Sequence, residues 1–192
     1  MAHRSMATVE KKALREGLII VFIDEAGFNL LPARARTHAP RGETPILRVL
    51  LSYDHPSVMS GISITGQLYT LTRSRALTSK DSVRFLKHVR RQVKQGLLVI
   101  WDGSPIHRRE VTQFMATEGA KDISLEQLPG YAPDLNPDEG VWQHLKNVEL
   151  RNVCCKDLDH LHRELNLAIM RLRNKPHIIK SFFDGAGLSI ET

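Results

Sequence analysis

Two aspartates each end a short apolar run that is typical of a buried strand. Asp24 closes the run GLIIVFID, and Asp102 closes the run GLLVIWD. A carboxylate that ends such a strand emerges at the carboxyl edge of the sheet, where open α/β sheets place their ligands. Two carboxylates side by side resist ionising together unless a cation lies between them, and their hard oxygens suit Mg²⁺ or Mn²⁺. The runs therefore predict a divalent-metal site if the two strands are neighbours, although either aspartate taken alone is equally a polar turn residue.

A third acid, Glu139, lies in the string YAPDLNPDEGVW and has two interpretations. Residues 136–139 form a good helix start, with Asn136 as N-cap and Glu139 completing a capping box, which stabilises a helix by about 1 kcal/mol. A first-turn acid also projects towards whatever lies beside the N-terminal end of its helix, so a structural and a chemical role can coexist. Adjacent Asp138 competes for the chemical role, but it points about 100° away around the helix.

Size and composition limit the class of protein. The 192-residue chain has the length for one domain with a sizeable core, and its apolar content of 42% is ordinary. No apolar stretch approaches the roughly 20 residues of a membrane span, and no signal peptide is evident. The only cysteines, Cys154 and Cys155, are adjacent, which excludes a disulfide framework and a zinc site. We therefore expect a cytoplasmic protein with free thiols and no membrane partner.

The net charge of +6 is concentrated in two segments. Between Arg73 and Lys94 there are eight Lys and Arg residues against one acid, Asp81, and a second basic group lies within residues 34–48. Such segments are either solvated surfaces or contacts for a polyanion. His107 is either a surface residue at a helix start or a contact to phosphate. The residues that we predict to contact nucleic acid are Arg34, Arg36, Arg41, Arg73, Arg75, Lys80, Arg84, Lys87, Arg91 and His107.

The apolar patterns predict an α/β protein with a mixed sheet that has an antiparallel hairpin and a parallel half. Residues 1–17 are expected to be a flexible N-terminal segment, and residues 18–192 one domain. Strands are predicted at about 18–24, 46–52, 58–64, 67–72, 97–102 and 123–128, with a tight turn at Gly66-Gln67. Helices are predicted at about 79–95, 105–117, 136–152 and 157–174, the last of them stopped by Pro176.

Three strings now carry a resemblance to a known family. FIDEAGF, IWDGSPIH and LPGYAPDLNPDEGVWQHLK, which contain Asp24, Asp102 and Glu139, resemble the three blocks of the DDE transposases. Within that group they are most similar to the bacterial insertion-sequence enzymes allied to the mariner superfamily. The string P-D-L-N-P-x-E-x-x-W is specific, and the 36 residues between Asp102 and Glu139 resemble the close spacing of that superfamily. The resemblance covers about residues 18–175 and includes THAPRGETP, at 37–45.

The resemblance implies a ribonuclease H-like fold, with a five-stranded mixed sheet flanked by helices. It also implies metal-dependent DNA strand cleavage and strand transfer in transposition. Asp24, Asp102 and Glu139 would hold two Mg²⁺ ions about 4 Å apart, and Mn²⁺ would substitute. The partners would be transposon ends and target DNA, bound by a dimer in the bacterial nucleoid. Gly103 departs from the asparagine that many relatives have there. The family's helix-turn-helix region is missing from residues 1–17, so the chain would be the catalytic half alone, either as the product of a separate reading frame or as a fragment.

Two other functions stay open from the sequence. The first is an inactive transposase remnant that only binds DNA, and the three intact acids weigh against it. The second is a host nuclease of the same fold, such as a ribonuclease H or a junction resolvase, which the string PDLNPDE disfavours. A phosphoacceptor receiver domain also ends strands with aspartates, but it gives no role to Glu139.

Overall fold

A five-stranded mixed sheet forms the centre of the chain. The computed structural model describes residues 6–33, 39–42, 46, 55–101, 108–128 and 133–188. The strands are β1 Leu18–Gly27, β2 Ser57–Ser63, β3 Leu68–Arg73, β4 Gly96–Trp101 and β5 Ile123–Gln127. Their order is β3-β2-β1-β4-β5; β2 is antiparallel to β1 and β3, and β4 is parallel to β1 and β5. The expected sheet is confirmed, while residues 47–52 of the predicted strand at 46–52 lie outside the described residues.

Six helices flank the sheet in the part of the chain that the structure describes. They are α1 Met6–Glu16, α2 Ser79–Gln92, α3 Arg108–Met115, α4 Asp138–His144, α5 Leu158–Arg173 and α6 Pro176–Gly185. A π-helical turn, Leu145–Glu149, continues α4, so the long helix predicted from Asn136 changes its winding part-way. None of the described helices is long and apolar enough to cross a membrane.

The alternation of side chains along β1 divides the core into two layers. Ile20 and Phe22 pack with α1, α4, α5 and α6, whereas Val21 and Ile23 pack on the opposite face with α2 and α3. All four side chains are nearly inaccessible to solvent, so β1 is buried on both faces as its apolar run predicts. Since successive residues of a strand point to opposite faces, Asp24 projects to the same side as Phe22, towards α4.

The structure differs from the sequence-based expectation at both ends of the described chain. Residues 6–16, expected to belong to a flexible segment, form α1, and Val9 and Ala13 on one face of it are buried against the sheet. Only one apolar pair, Val9 and Ala13 at i and i+4, faces the sheet, and such a pair is too weak a pattern to indicate a helix within a polar segment. Pro176 follows the end of α5 as expected, but it also begins α6, because proline is well suited to the first helical position.

The predicted turn between β2 and β3 is confirmed. Gly66 has a φ of +85°, and its N–H donates to the carbonyl oxygen of Ser63 at 2.9 Å. A Cβ atom at position 66 would lie 2.7 Å from the carbonyl oxygen of Pro176, so both the backbone angle and the space around it require glycine.

Candidate active site

Asp24 lies in β1 where the parallel pairing with β4 ends; the strand was expected to end at this residue, but it continues to Gly27 because residues 24–27 stay paired with β2. In the parallel register of β1 and β4, Ile23 pairs with Trp101. The chain therefore leaves β4 next to Asp24, and the next residue in the sequence is Asp102. The prediction that the two strands are neighbours is confirmed. Asp102 and His107 lie outside the described residues, so their side chains remain predictions.

The carboxylate of Asp24 accepts hydrogen bonds from the beginning of α4. The side-chain amide Nδ2 of Asn136 and the indole Nε1 of Trp142 each donate to Oδ2 of Asp24 at 3.0 Å. The other oxygen, Oδ1, accepts a bond of 2.8 Å from the backbone N–H of Glu25. Asp24 on β1 is therefore in direct contact with the predicted helix start through Asn136 and with α4 through Trp142.

A second contact joins the same helix to the adjacent strand. Ser60 of β2 pairs with Asp24 in the antiparallel register, so the two side chains lie next to each other under α4. The Ser60 hydroxyl donates to Oδ1 of Asp138, which is fully buried. The other oxygen of Asp138 has no hydrogen-bond partner among the described residues. From the sequence, Asp138 was expected to point away from the site, and this contact with Ser60 was not predicted.

The burial of Asp138 could have been found in the sequence. Asp138 belongs to a stripe with Val141, Trp142 and Leu145, spaced i, i+3, i+4 and i+7, and all four side chains are buried. This spacing marks the core-facing side of a helix. Glu139, one residue further round, is exposed. Of the two acids, Asp138 is therefore the one that enters the protein.

Burial raises the pKa of Asp138 well above its ordinary value. The negative charges of Asp24 and, to a smaller degree, Glu139 raise it further, while the hydrogen bond from Ser60 acts in the opposite direction. Loss of hydration penalises the ionised form of a carboxyl group, and nearby negative charge adds to that penalty. Asp138 is therefore neutral over a pH range in which an exposed aspartate is ionised.

Replacement Asp138→Asn is expected to change how stability depends on pH. In the wild type the pKa of Asp138 is higher in the folded protein than in the unfolded chain. Above about pH 4 the unfolded chain therefore holds fewer protons than the folded protein, and the free energy of unfolding falls as the pH rises. Asparagine does not titrate. The free energy of unfolding of the variant should therefore rise relative to wild type between about pH 4 and pH 7, as measured by urea denaturation. A difference that is constant with pH would contradict a raised pKa at this position.

Glu139 lies on the solvent side of the same helix start. It borders an open groove of about 490 Å³ between α4 and α6, which Gln143 and Phe182 also line. The helices approach closely here, since a Cβ atom on Gly140 would lie 2.6 Å from the Phe182 ring. The capping box was predicted to join Asn136 and Glu139. In the structure, the side-chain oxygen of Asn136 instead accepts from the backbone N–H of Asp138, the first residue of α4, at 3.2 Å. Glu139 is thus available to a ligand rather than committed to capping.

Two of the predicted nucleic-acid contacts are engaged within the protein. Arg73 and Arg75 form ion pairs with the buried Asp81, at 3.0 Å and 2.8 Å. Burial alone would raise the pKa of Asp81, but hydrogen bonds from both arginines and from Thr78 outweigh it and hold that pKa well below its ordinary value. These arginines therefore fix the beginning of α2 as well as presenting positive charge.

Four other predicted contacts form one stripe. Lys80, Arg84, Lys87 and Arg91 follow one another at intervals of four, three and four residues along α2 and line a shared groove. They lie opposite the buried side of α2, whose apolar residues pack on the sheet face away from α4. Of the three arginines predicted in the 34–48 segment, only Arg41 is described, and it is exposed. Arg34 and Arg36 lie outside the described residues.

Residues 19–162 match the family described as DDE superfamily endonuclease. The chain belongs to this family. The match contains the three acids in the order that the resemblance requires, and it covers most of the sheet and α4. No curated protein sequence matches the chain.

Solved structures with the same fold include several of the Mos1 mariner transposase. The Mos1 mariner paired-end complex with Mn is 13% identical, with a TM-score of 0.60 over 97% of this chain and 61% of the Mos1 chain. A pre-cleavage Mos1 transpososome is 15% identical, with a TM-score of 0.58, over 96% and 61%. The catalytic domain of Mos1 transposase, at 15% identity and a TM-score of 0.50, is matched over 96% of this chain and 91% of that domain. These similarities confirm the ribonuclease H-like fold. The chain spans about three fifths of the Mos1 chains in the complexes.

Proposed function

We propose that the chain is the catalytic domain of a transposase, which cleaves DNA strands and transfers them in a metal-dependent reaction. The contact between Asp24 and the start of α4 carries the proposal, because it joins the acid on β1 to the helix that bears Glu139. Membership in the DDE superfamily endonucleases supports it, as does the match to nearly the whole catalytic domain of Mos1 transposase. Neither alternative function has an observation in its favour.

The acids fit divalent ions by their chemistry. Among the described residues no three His, Cys, Asp or Glu side chains cluster closely enough to hold a metal, so the proposed site needs Asp102, which is not described. Asp24, Asp102 and Glu139 would supply hard carboxylate oxygens of the kind that Mg²⁺ and Mn²⁺ prefer. Such ions, held by these three residues, would supply activation of a water or a DNA 3′-hydroxyl for in-line attack and stabilisation of the leaving oxygen.

The residues around the acids would prepare the site for these ions. The bonds from Asn136 and Trp142 orient the Asp24 carboxylate through neutral donors, so they leave its negative charge in place. Asp138 is buried, and this burial together with the charges of Asp24 and Glu139 disfavours a further negative charge there. Glu139 is exposed beside Asn136 and would complete the ligand set from the solvent side.

The partners follow from the proposed reaction. The α2 stripe would contact DNA phosphates without reading sequence, since lysine and arginine contacts to the backbone carry no base information. We propose transposon ends and target DNA as substrates, bound by two copies of the chain in the nucleoid of a bacterial cell. The Mos1 paired-end complexes support this arrangement by analogy of fold.

A cleavage assay tests the proposed function. The protein is incubated with labelled duplex DNA that carries the ends of its element, with and without Mg²⁺ or Mn²⁺, and in parallel with an RNA–DNA hybrid. Metal-dependent nicking of the DNA is the expected result. Binding without nicking would show an inactive remnant, and cleavage confined to the RNA strand of the hybrid would show a ribonuclease H.

The α2 stripe should dominate the salt dependence of DNA binding. Each phosphate contact contributes roughly −0.9 to the slope of log affinity against log salt concentration, so changing Lys80, Arg84, Lys87 and Arg91 to glutamine should reduce the slope by about 3 to 4. Fluorescence anisotropy titrations at salt concentrations from about 50 to about 300 mM measure this slope. A matched control neutralises four exposed basic residues elsewhere, Lys11, Lys156, Arg163 and Lys180. Equal losses in the two variants would show that net charge, not the stripe, binds DNA.

A further inference from the structure

We propose that Asn136 and Trp142 are positioning residues that set the orientation of Asp24 and its distance from Glu139. The inference rests on the proposed function, because it takes Asp24 and Glu139 as metal ligands. Both donors converge on the same oxygen, Oδ2 of Asp24, which leaves Oδ1 with only the adjacent backbone N–H among the bonds just described. Donors on both oxygens fix the plane of the carboxylate.

The geometry of Asn136 allows only one orientation of its amide. Its Oδ1 accepts from the backbone N–H of Asp138 at 3.2 Å, which leaves Nδ2 to face Asp24 as a donor. Its backbone carbonyl accepts from the N–H of Glu139 at 3.1 Å. One buried residue thus contacts Asp24 through its side chain and Glu139 through its backbone. The spacing between the two acids depends directly on it.

The indole N–H of Trp142 can act only as a hydrogen-bond donor. The side chain is 4% exposed, with its ring packed edge-to-face on Phe28 at 6.1 Å between centroids. A buried tryptophan needs a hydrogen-bond acceptor, and a backbone carbonyl would satisfy that need as well as a carboxylate does. The choice of a carboxylate at a strand end fits a role in orienting Asp24. Groups that hold a metal ligand in place typically change metal affinity by about 10–100-fold when they are removed.

Two variants separate positioning from packing. Trp142→Phe removes the N–H but keeps a ring against Phe28. Asn136→Ser keeps an acceptor for the helix start, yet its side chain is too short to reach Asp24. We expect each to weaken Mn²⁺ binding about tenfold or more by calorimetry and to raise the Mn²⁺ concentration for half-maximal cleavage, with most of the rate recovered at saturating Mn²⁺. Phe28→Leu is the control, since it disturbs the same packing and leaves both donors intact, so it should lower the melting temperature without changing Mn²⁺ affinity.

The outcomes distinguish this inference from the proposed function. Wild-type Mn²⁺ affinity in both Trp142→Phe and Asn136→Ser would overturn the positioning role, as would an equal loss of affinity in Phe28→Leu. Asp24→Asn is measured alongside. If Asp24→Asn binds Mn²⁺ as the wild type does, the metal site itself is elsewhere and the proposed function fails with it.

Discussion

Glu139→Gln is expected to reduce DNA strand cleavage by several orders of magnitude while the melting temperature stays close to that of the wild type. The side chain is exposed, and the hydrogen bonds of its helix start come from Asn136, so the fold loses little. A first-turn acid at a helix N-terminus contributes roughly 0.3–1 kcal/mol, which bounds the loss of stability. The metal site loses an anionic ligand where two dications require compensating charge. Single-turnover cleavage in Mg²⁺ and thermal denaturation measure the two effects.

The neighbouring acid is the matched control for this variant. Asp138→Asn replaces a buried carboxyl with a side chain of the same shape, and the Ser60 hydroxyl can still donate to its oxygen. Cleavage should therefore stay mostly intact. If Asp138→Asn abolishes cleavage and Glu139→Gln retains it, the third metal ligand is Asp138 and the assignment of the two acids is reversed.

The double variant Asp24→Asn, Asp102→Asn should show no Mn²⁺ site and no cleavage. Two adjacent strand ends would then offer neutral amides in place of carboxylates, and a divalent ion binds such a pair far more weakly. The fold should persist, since an asparagine at position 24 can present its carbonyl oxygen to Asn136 and Trp142. Calorimetric titration with Mn²⁺ gives the result.

A second double variant controls for the loss of two charges. Asp159→Asn with Asp184→Asn removes two exposed carboxylates from α5 and α6, far along the chain from the strand ends. Its Mn²⁺ binding should match that of the wild type. Undiminished binding in the Asp24, Asp102 variant would place the metal elsewhere in the protein.

The central strands could be predicted from the sequence because their signal is local. A short apolar run bounded by glycine and followed by aspartate favours a buried strand, and β1 and β4 form at these two runs, although β1 continues past Asp24 to Gly27. The helix start at residues 136–139 was likewise visible from its own residues. The family resemblance then supplied the order of the three acids, which local patterns could not connect.

The contacts around the acids could not be predicted, because they join positions far apart in the sequence. Ser60 and Asp138 are 78 residues apart, and no local pattern indicates that one would satisfy the other. The same holds for the bond from Trp142 to Asp24, which joins residues 118 positions apart. The pairing of Arg73 with Asp81 was hidden for another reason, because a basic segment has the same composition whether its charges are free or paired.

β1 and α4 are far apart in the sequence, and this affects the order in which the protein folds during synthesis. Asn136 lies 112 residues and Trp142 118 residues beyond Asp24, so these bonds close very long loops. Contacts of such high sequence separation form late in folding, because the entropy of the intervening chain must be lost first. On the ribosome, β1 is complete well before α4 has been synthesised. We therefore expect the contacts between Asp24 and α4 to be among the last to form, after most of the domain has been synthesised.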